Sequence, residues 1–401
     1  MKIWKINSRT FLKFIGYPAC LVVLTLALLL SACQSGKDID AFADLSTSFQ
    51  VELDRICTES GFPGITAAFI LSDGQSAGFA SGFADKEEQI LMTPESRMLS
   101  GSIGKTFVAA VALSLAQEGA FSLDDKIIKW FGDEDWFPRL PNGPEITLRM
   151  FLTHSSGLSD HVHSEKYGQA ILRMIGSADP DFCFEPREIV AFVLDQKPLF
   201  APGQGYSYTD TGYILIGMII EKTTGSTYYE ELHKRILGPM QLKRTSPSDR
   251  RDLSGLAAGY IHPDDNPFGL PEKTTIDGGM LFNPANEWTG GGLITNPQDL
   301  VRWAKLLYEG KALDKPYLEE LLNSGFKDGK NQSHYGLGVG VKGSELGMTY
   351  GHGGWFPGYS SMVSYYPEQK IAIAVQVNTD HKVDMNSIIR RLTKTVLASI
   401  E

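Results

Sequence analysis

Three short stretches carry the side chains best suited to covalent chemistry: Ser102-Ile103-Gly104-Lys105, Tyr208-Thr209-Asp210 and His352-Gly353-Gly354. Ser102 and Lys105 stand three residues apart, so on a helix they share one face of a turn. A serine hydroxyl is a weak nucleophile until a neighbour takes its proton. Lysine can do so only as the neutral amine, and with a pKa of about 10.4 it is almost wholly charged at neutral pH. Burial can lower that value by up to about 3–5 units. Tyr208 is the second candidate base, because a cationic lysine beside a phenol favours the phenolate. If the fold brings these stretches together, Asp210 opposes the neutral-lysine route: opposite charges about 4 Å apart, at an effective dielectric of about 20, attract by about 4 kcal/mol. Tyr208 is therefore expected to be the working base, with Lys105 as its electrostatic partner. Plainer readings exist for each residue. Ser102 could cap a helix, Lys105 could reach solvent, and Tyr208 could pack against a carbonyl. Asp210 could cap a helix starting at Thr211, and His352 could fill space in a strand. The pair Ser324 and Lys327 repeats the first spacing among turn residues, so spacing alone settles little.

The surrounding elements follow from the hydrophobic pattern. From Phe107 to Ala116 only Ser114 is polar, which marks a helix buried on all sides; Gly119 ends it. Leu45, Phe49, Leu53 and Ile56 form the stripe of an amphipathic helix. Residues 64–85 read as two strands turning at Asp73-Gly74. A second hairpin turns at Pro367-Glu368-Gln369. Asn296, Pro297 and Gly310 bound another helix, and a last helix runs from about Asp384 to Ser399. Between them, residues 120 to about 290 are loop-rich with short helical patterns. This order predicts an α+β fold with one antiparallel β-sheet flanked by helices. The sheet lobe would take about 45–100 plus 290–400, and a mostly helical second lobe about 101–289. Terminal helices would cover one sheet face and the Ser102 helix the other. A cleft between the lobes would hold the ligand.

The 401 residues are 42% hydrophobic and 21% charged, which suits one large domain. The N-terminus is different. Lys2, Lys5, Arg9 and Lys13 precede the apolar run "CLVVLTLALLLSACQSG", the layout of a secretory signal; a permanent membrane anchor is the alternative. Leu30-Ser31-Ala32-Cys33 resembles a bacterial lipobox. That resemblance implies a signal peptide over 1–32, lipidation of Cys33 and a tether over 33–44. Gln34 stands where an inner-membrane retention signal would carry aspartate. The expected place is thus the cell envelope, at the periplasmic face of the outer membrane. Removing the four basic leader residues takes the formal charge from −10 to about −14. With no basic run, a nucleic-acid partner is not expected. An exported compartment permits a disulfide between Cys57 and Cys183, but two cysteines so far apart in sequence fit buried free thiols at least as well, and no bridge is predicted. His154, His161 and His163 could suggest a metal, but no acid or cysteine lies at familiar ligand spacing. An exposed loop beside the cleft, without metal, is the expectation.

In order and spacing, the three stretches resemble the S-x-x-K, Y-x-N and K-T-G or H-x-G motifs of the serine β-lactamase and penicillin-binding protein superfamily. The likeness is to its class C-like branch: class C β-lactamases, D-Ala-D-Ala carboxypeptidases, D-aminopeptidases and esterases. "ITLRMFLTHSSGL", "LAAGYIH" and "GGGLITNPQDLVRWAKLL" fall at family-like places, and the likeness covers about 45–400. It implies a β-lactamase-like fold and a cofactor-free serine hydrolase that forms an acyl-enzyme on Ser102. Lys105 and Tyr208 would complete the catalytic set. Asp210, His352, Gly353 and Gly354 would bind substrate, and the backbone N–H groups of Ser102 and Trp355 would form the oxyanion hole. Implied substrates are D-amino-acid peptides, peptidoglycan-derived ones among them, or small esters and amides, with β-lactams also binding. Two positions depart from the pattern. Asp210 replaces the usual Asn. His352 replaces a lysine, and an imidazole of pKa about 6.5 holds an acid terminus less firmly at neutral pH. Strong β-lactamase activity is therefore not expected. A non-catalytic envelope protein keeping the fold, and a true class C-like β-lactamase, are the alternatives.

Overall fold

The structure, a computed structural model, describes residues 40–175, 179–266, 269–325 and 333–400. The expected signal peptide, Cys33, most of the tether and Lys327 lie outside the described residues.

Eight strands form one antiparallel sheet. They are β1 (Gly64–Ile70), β2 (Ser76–Asp85), β3 (Ile90–Leu91), β4 (His334–Tyr335), β5 (Gly340–Ser344), β6 (Gly347–Phe356), β7 (Tyr359–Tyr366) and β8 (Ile371–Val377). Their order is β3-β2-β1-β8-β7-β6-β5-β4, so the two ends of the chain meet where β1 pairs with β8. Both expected hairpins are present. Gly74 takes the left-handed conformation at the first turn (φ +94°), and Ile70 faces Ser76 across it. Lys370 does so at the second (φ +55°), where Tyr366 faces Ile371.

Side chains alternate across the central strands. Ile65, Ala67, Phe69, Ile373 and Val375 face one way and pack on helix α1 (residues 40–60) and the C-terminal helix. The expected stripe of Leu45, Phe49, Leu53 and Ile56 is what α1 buries there. Ala68, Ile70, Ala372 and Ala374 face the other way.

That second face is covered by a helix other than the one expected. Pro297–Tyr308 lies across β1, β7 and β8. Asn296 caps this helix by accepting from the Asp299 N–H, and Gly310 ends it at φ +71°. The helix after Ser102, α2 (Gly104–Gln117), sits one layer further in, buried at every residue from Gly104 to Leu113. The reason is its composition. The 297–308 helix has one apolar stripe and suits a sheet face, whereas a helix apolar all round needs neighbours on every side. Trp303 stacks on Phe107 from the sheet side, with ring centroids 4.4 Å apart. Helix α3 (Asp210–Thr224) packs on α2 from the helical side. Among the described residues no helix is long and apolar enough to cross a membrane.

Candidate active site

Ser102 lies in a tight turn, Gly101–Ile103, that runs straight into α2. Two contacts pin this turn. The Ser100 N–H donates to the Leu293 carbonyl (2.9 Å), and strand β6 passes against it so closely that side chains are excluded. A methyl on Gly354 would fall 1.8 Å from the Ser100 carbonyl oxygen, and one on Gly101 would fall 2.5 Å from the Trp355 nitrogen. Gly101 is also left-handed (φ +52°). The glycine after Gly353 thus admits the nucleophile turn, where the sequence suggested approach of a ligand. The same approach brings the Trp355 backbone beside Ser102, where an oxyanion hole would need it.

Lys105 is fully buried beneath Ser102. Its ammonium donates to Ser102 Oγ (2.9 Å) and to the Gly290 carbonyl, and it pairs with Asp210 Oδ1 at 2.5 Å. Its hydrogen bonds thus go to a hydroxyl and a carbonyl, and its charge is met by a carboxylate. Burial works against the charge, but the Asp210 carboxylate outweighs it and holds Lys105 above the ordinary lysine value. Asp210 is placed for this by α3. Thr209 is the cap, its hydroxyl accepting from the Thr211 N–H, so Asp210 is free to turn inward as the first helical residue. The helix N-terminus also favours its negative charge.

Tyr208 departs from expectation. Its hydroxyl is buried within reach of Ser102 and Lys105 but forms no hydrogen bond of good geometry. Burial outweighs the pull of Lys105, Asp210 adds to the upward push, and the phenol rises to about 12. The cation was expected to bring it down. Burial decides the balance, and the resting Tyr208 phenol keeps its proton at neutral pH.

His352 accepts from the Tyr335 hydroxyl at Nε2 (2.7 Å), and its Nδ1 faces the Gly353 carbonyl at 2.5 Å. A carbonyl can only accept, so the proton belongs on Nδ1. Burial, helped by Lys105, pushes the imidazole down to about 4. It is neutral at pH 7, as a weak hold on an acid terminus requires.

The histidine loop is exposed only in part. His154 and His161 are buried, while the His163 side chain stands 84% exposed. His154 Nδ1 accepts from the Thr209 N–H (3.2 Å), and its ring lies on Tyr208 with centroids 4.1 Å apart. It therefore braces the tyrosine. Cys57 and Cys183 are both free thiols.

Ser102, Tyr208, Asp210 and Trp355 line one cavity of about 280 Å³, joined by Asp160 and Glu287. A second hollow of about 430 Å³ adjoins it at Tyr208 and holds His352 and Gly353. The sequence reading missed Asp160, Glu287, Gly290, His154 and Tyr335. One signal was available: Gly290-Gly291-Gly292 marks a close backbone approach. A methyl on Gly291 would fall 2.4 Å from the Gly101 oxygen and 2.5 Å from Glu287 Oε1.

A serine hydrogen-bonded to a buried lysine, with a tyrosine beside them, against strands β6 and β7 of an antiparallel sheet is the arrangement of a serine hydrolase of the β-lactamase and penicillin-binding protein superfamily. Residues 42–397 match the family described as Beta-lactamase, and the chain belongs to it. It is 24% identical over 327 residues to a penicillin-binding protein of Bacillus subtilis, covering 79% of this chain and 68% of that one. It is 25% identical to a D-aminopeptidase of Brucella anthropi over 78% of this chain, but spans only 55% of that protein's length. Among solved structures it resembles a D-amino acid amidase from Ochrobactrum anthropi SV3 (TM-score 0.74, 27% identity, 89% of this chain and all of that one). A D-stereospecific amidohydrolase from a Streptomyces species is equally similar (TM-score 0.74, 25% identity, 86% and 97%).

Proposed function

We propose that this chain hydrolyses amides and esters of D-amino acids, and short peptides containing them, through an acyl-enzyme on Ser102. The observation that carries this reading is the Lys105–Ser102 hydrogen bond of 2.9 Å at the wall of an open cavity. The D-amino acid amidase and the D-stereospecific amidohydrolase support the substrate class, since this chain resembles them over nearly their whole length.

The proton path follows from which groups are charged. Lys105, as an ammonium with no free lone pair, cannot accept from Ser102 until it gives up a proton, and Asp210 at 2.5 Å is the acceptor in place. Lys105 passes a proton to Asp210, and the freed amine takes the Ser102 proton as Oγ bonds to the substrate carbonyl carbon. The oxyanion faces the N–H groups of Ser102 and Trp355. Tyr208, a neutral phenol, protonates the leaving nitrogen as the C–N bond breaks. It recovers a proton from Lys105, and Lys105 recovers one from Asp210. Water then attacks the ester by the same route and Ser102 leaves.

Turnover of D-phenylalaninamide, D-Ala-D-Ala peptides, p-nitrophenyl esters and nitrocefin tests the reading. D-amino acid amides should be cleaved best and nitrocefin least, with a loss of about a thousand-fold or more in Ser102→Ala. β-Lactams should acylate Ser102 slowly, seen as a fluorescent-penicillin adduct absent from Ser102→Ala. No turnover and no fluorophosphonate labelling would leave a non-catalytic binding role. Export with lipidation at Cys33 is a further part of this proposal. Palmitate labelling that survives Cys33→Ala would defeat it.

A further inference from the structure

We infer that Asp160 and Glu287 form a subsite for the free α-ammonium group of the substrate, beside the nucleophile. The inference rests on the D-amino acid reading above and names how that substrate is selected.

Three carboxyl groups line the Ser102 cavity: Asp160, Asp210 and Glu287. No lysine or arginine lines it. Lys105, beneath it, is paired with Asp210. Neither Asp160 nor Glu287 forms an ion pair with a lysine or arginine among the described residues, and Lys105 pulls on both without overcoming their burial. The Asp160 side chain is only 8% exposed; its Oδ1 accepts from the N–H groups of Val162 (3.3 Å) and Asp210 (3.2 Å). Its nearest basic groups are His161 at 3.7 Å and His163 at 4.0 Å. Burial keeps His161 neutral by pushing it down to about 4. Glu287 Oε2 is out of reach of solvent and bonds to nothing. Burial, with Asp210 adding to it, raises Asp160 to about 6; burial alone heads the causes that raise Glu287 to about 8.

A buried carboxyl without a partner is costly, and this one is held in place by backbone strain. Trp288, the next residue, has φ +38° in a non-glycine position, a conformation that persists only where the surroundings impose it. Its indole is wedged on α3 at Gly217, where a methyl would fall 2.6 Å from the ring. The loop thus turns Glu287 toward the cavity while presenting the Gly290 carbonyl to Lys105. Among the described residues no three acids or histidines converge as metal ligands would. An apolar part of the wall, with Ile171, Leu270, Phe282 and Phe356, lies beside them. An ammonium group next to a hydrophobic side chain fits that combination.

Binding to Ser102→Ala protein by titration calorimetry separates this inference from catalysis. The probes are D-phenylalaninamide and its des-amino analogue 3-phenylpropanamide. The amide with the amine should bind about 10- to 100-fold more tightly, as expected for charge-assisted hydrogen bonds. Glu287→Gln and Asp160→Asn, both isosteric, should each reduce that preference, and the double variant should abolish it. Equal binding of the two probes, or a preference unchanged in the double variant with its fold retained by circular dichroism, would overturn the subsite. Fluorophosphonate labelling of the wild type reports on the hydrolase reading alone, so either can fail without the other.

Discussion

The Lys105 ammonium and the Asp210 carboxylate stand 2.5 Å apart, the lysine with no exposed surface and the aspartate at the wall of the cavity. A buried charge left alone costs several kcal/mol, so breaking such a pair by removing one partner typically costs about 3–5 kcal/mol. The pair also decides which group can act as base. With Asp210 present, Lys105 rests as a full donor and Tyr208 as a neutral acid.

Asp210→Asn should therefore change the pH–rate profile more than the rate at its optimum. Without the carboxylate, burial favours the neutral amine, and Lys105 becomes the base by its own ionisation. The acidic limb of kcat/KM should move to higher pH. A limb that stays put would remove Asp210 from the proton path.

Tyr208→Phe should separate activity from stability. The hydroxyl it deletes is buried and lacks a hydrogen bond of good geometry, so its loss relieves a desolvation cost. Tm should hold or rise slightly. If the phenol is the acid for the leaving group, kcat should fall by about 100-fold or more. The fall should be smaller for p-nitrophenyl esters, whose leaving group needs no proton. Equal loss on amides and esters would argue against that role.

Glu287→Gln should stabilise the protein at neutral and alkaline pH while weakening substrate binding. The folded carboxyl titrates at about 8, above the unfolded value of about 4.5. Between those values the folded state holds more protons, so this group's contribution to stability falls as pH rises. The Tm advantage of Glu287→Gln should appear above about pH 4.5, grow to about pH 8 and then level off. A constant offset across that range would show that the carboxyl does not titrate as stated.

Gly354→Ala should be among the most damaging single-methyl changes. Its Cβ would meet the Ser100 carbonyl at 1.8 Å, backbone against backbone, with no flexible side chain to yield. A loss of about 3 kcal/mol or more in denaturant unfolding is expected, with activity lost as β6 is pushed from the Ser102 turn. Gly353→Ala meets only the tip of Met362, at 3.5 Å. It should keep the stability that Gly354→Ala loses.

Much of the framework was legible along the chain because its causes are local. A left-handed Gly74, a capping Asn296 and the period of Leu45, Phe49, Leu53 and Ile56 each act within a few residues, and the hairpin and helices they predict are present. Ser102, Lys105, Tyr208, Asp210 and His352 could be singled out because their three stretches, taken in order, resemble the motifs of one family; each residue alone has a plainer structural reading. What spacing could not reveal was set by distance in space. The choice of the 297–308 helix over α2 as the cover of the sheet was decided by packing across the whole domain. The charge states were decided the same way, since desolvation and Coulomb attraction depend on separation and burial. Asp210 meets Lys105 from 105 positions away, and Glu287 reaches the same cavity from a strained loop; only the folded chain fixes those separations. The sequence by itself determined which groups are available for chemistry, and the tertiary structure decided which of them hold a proton.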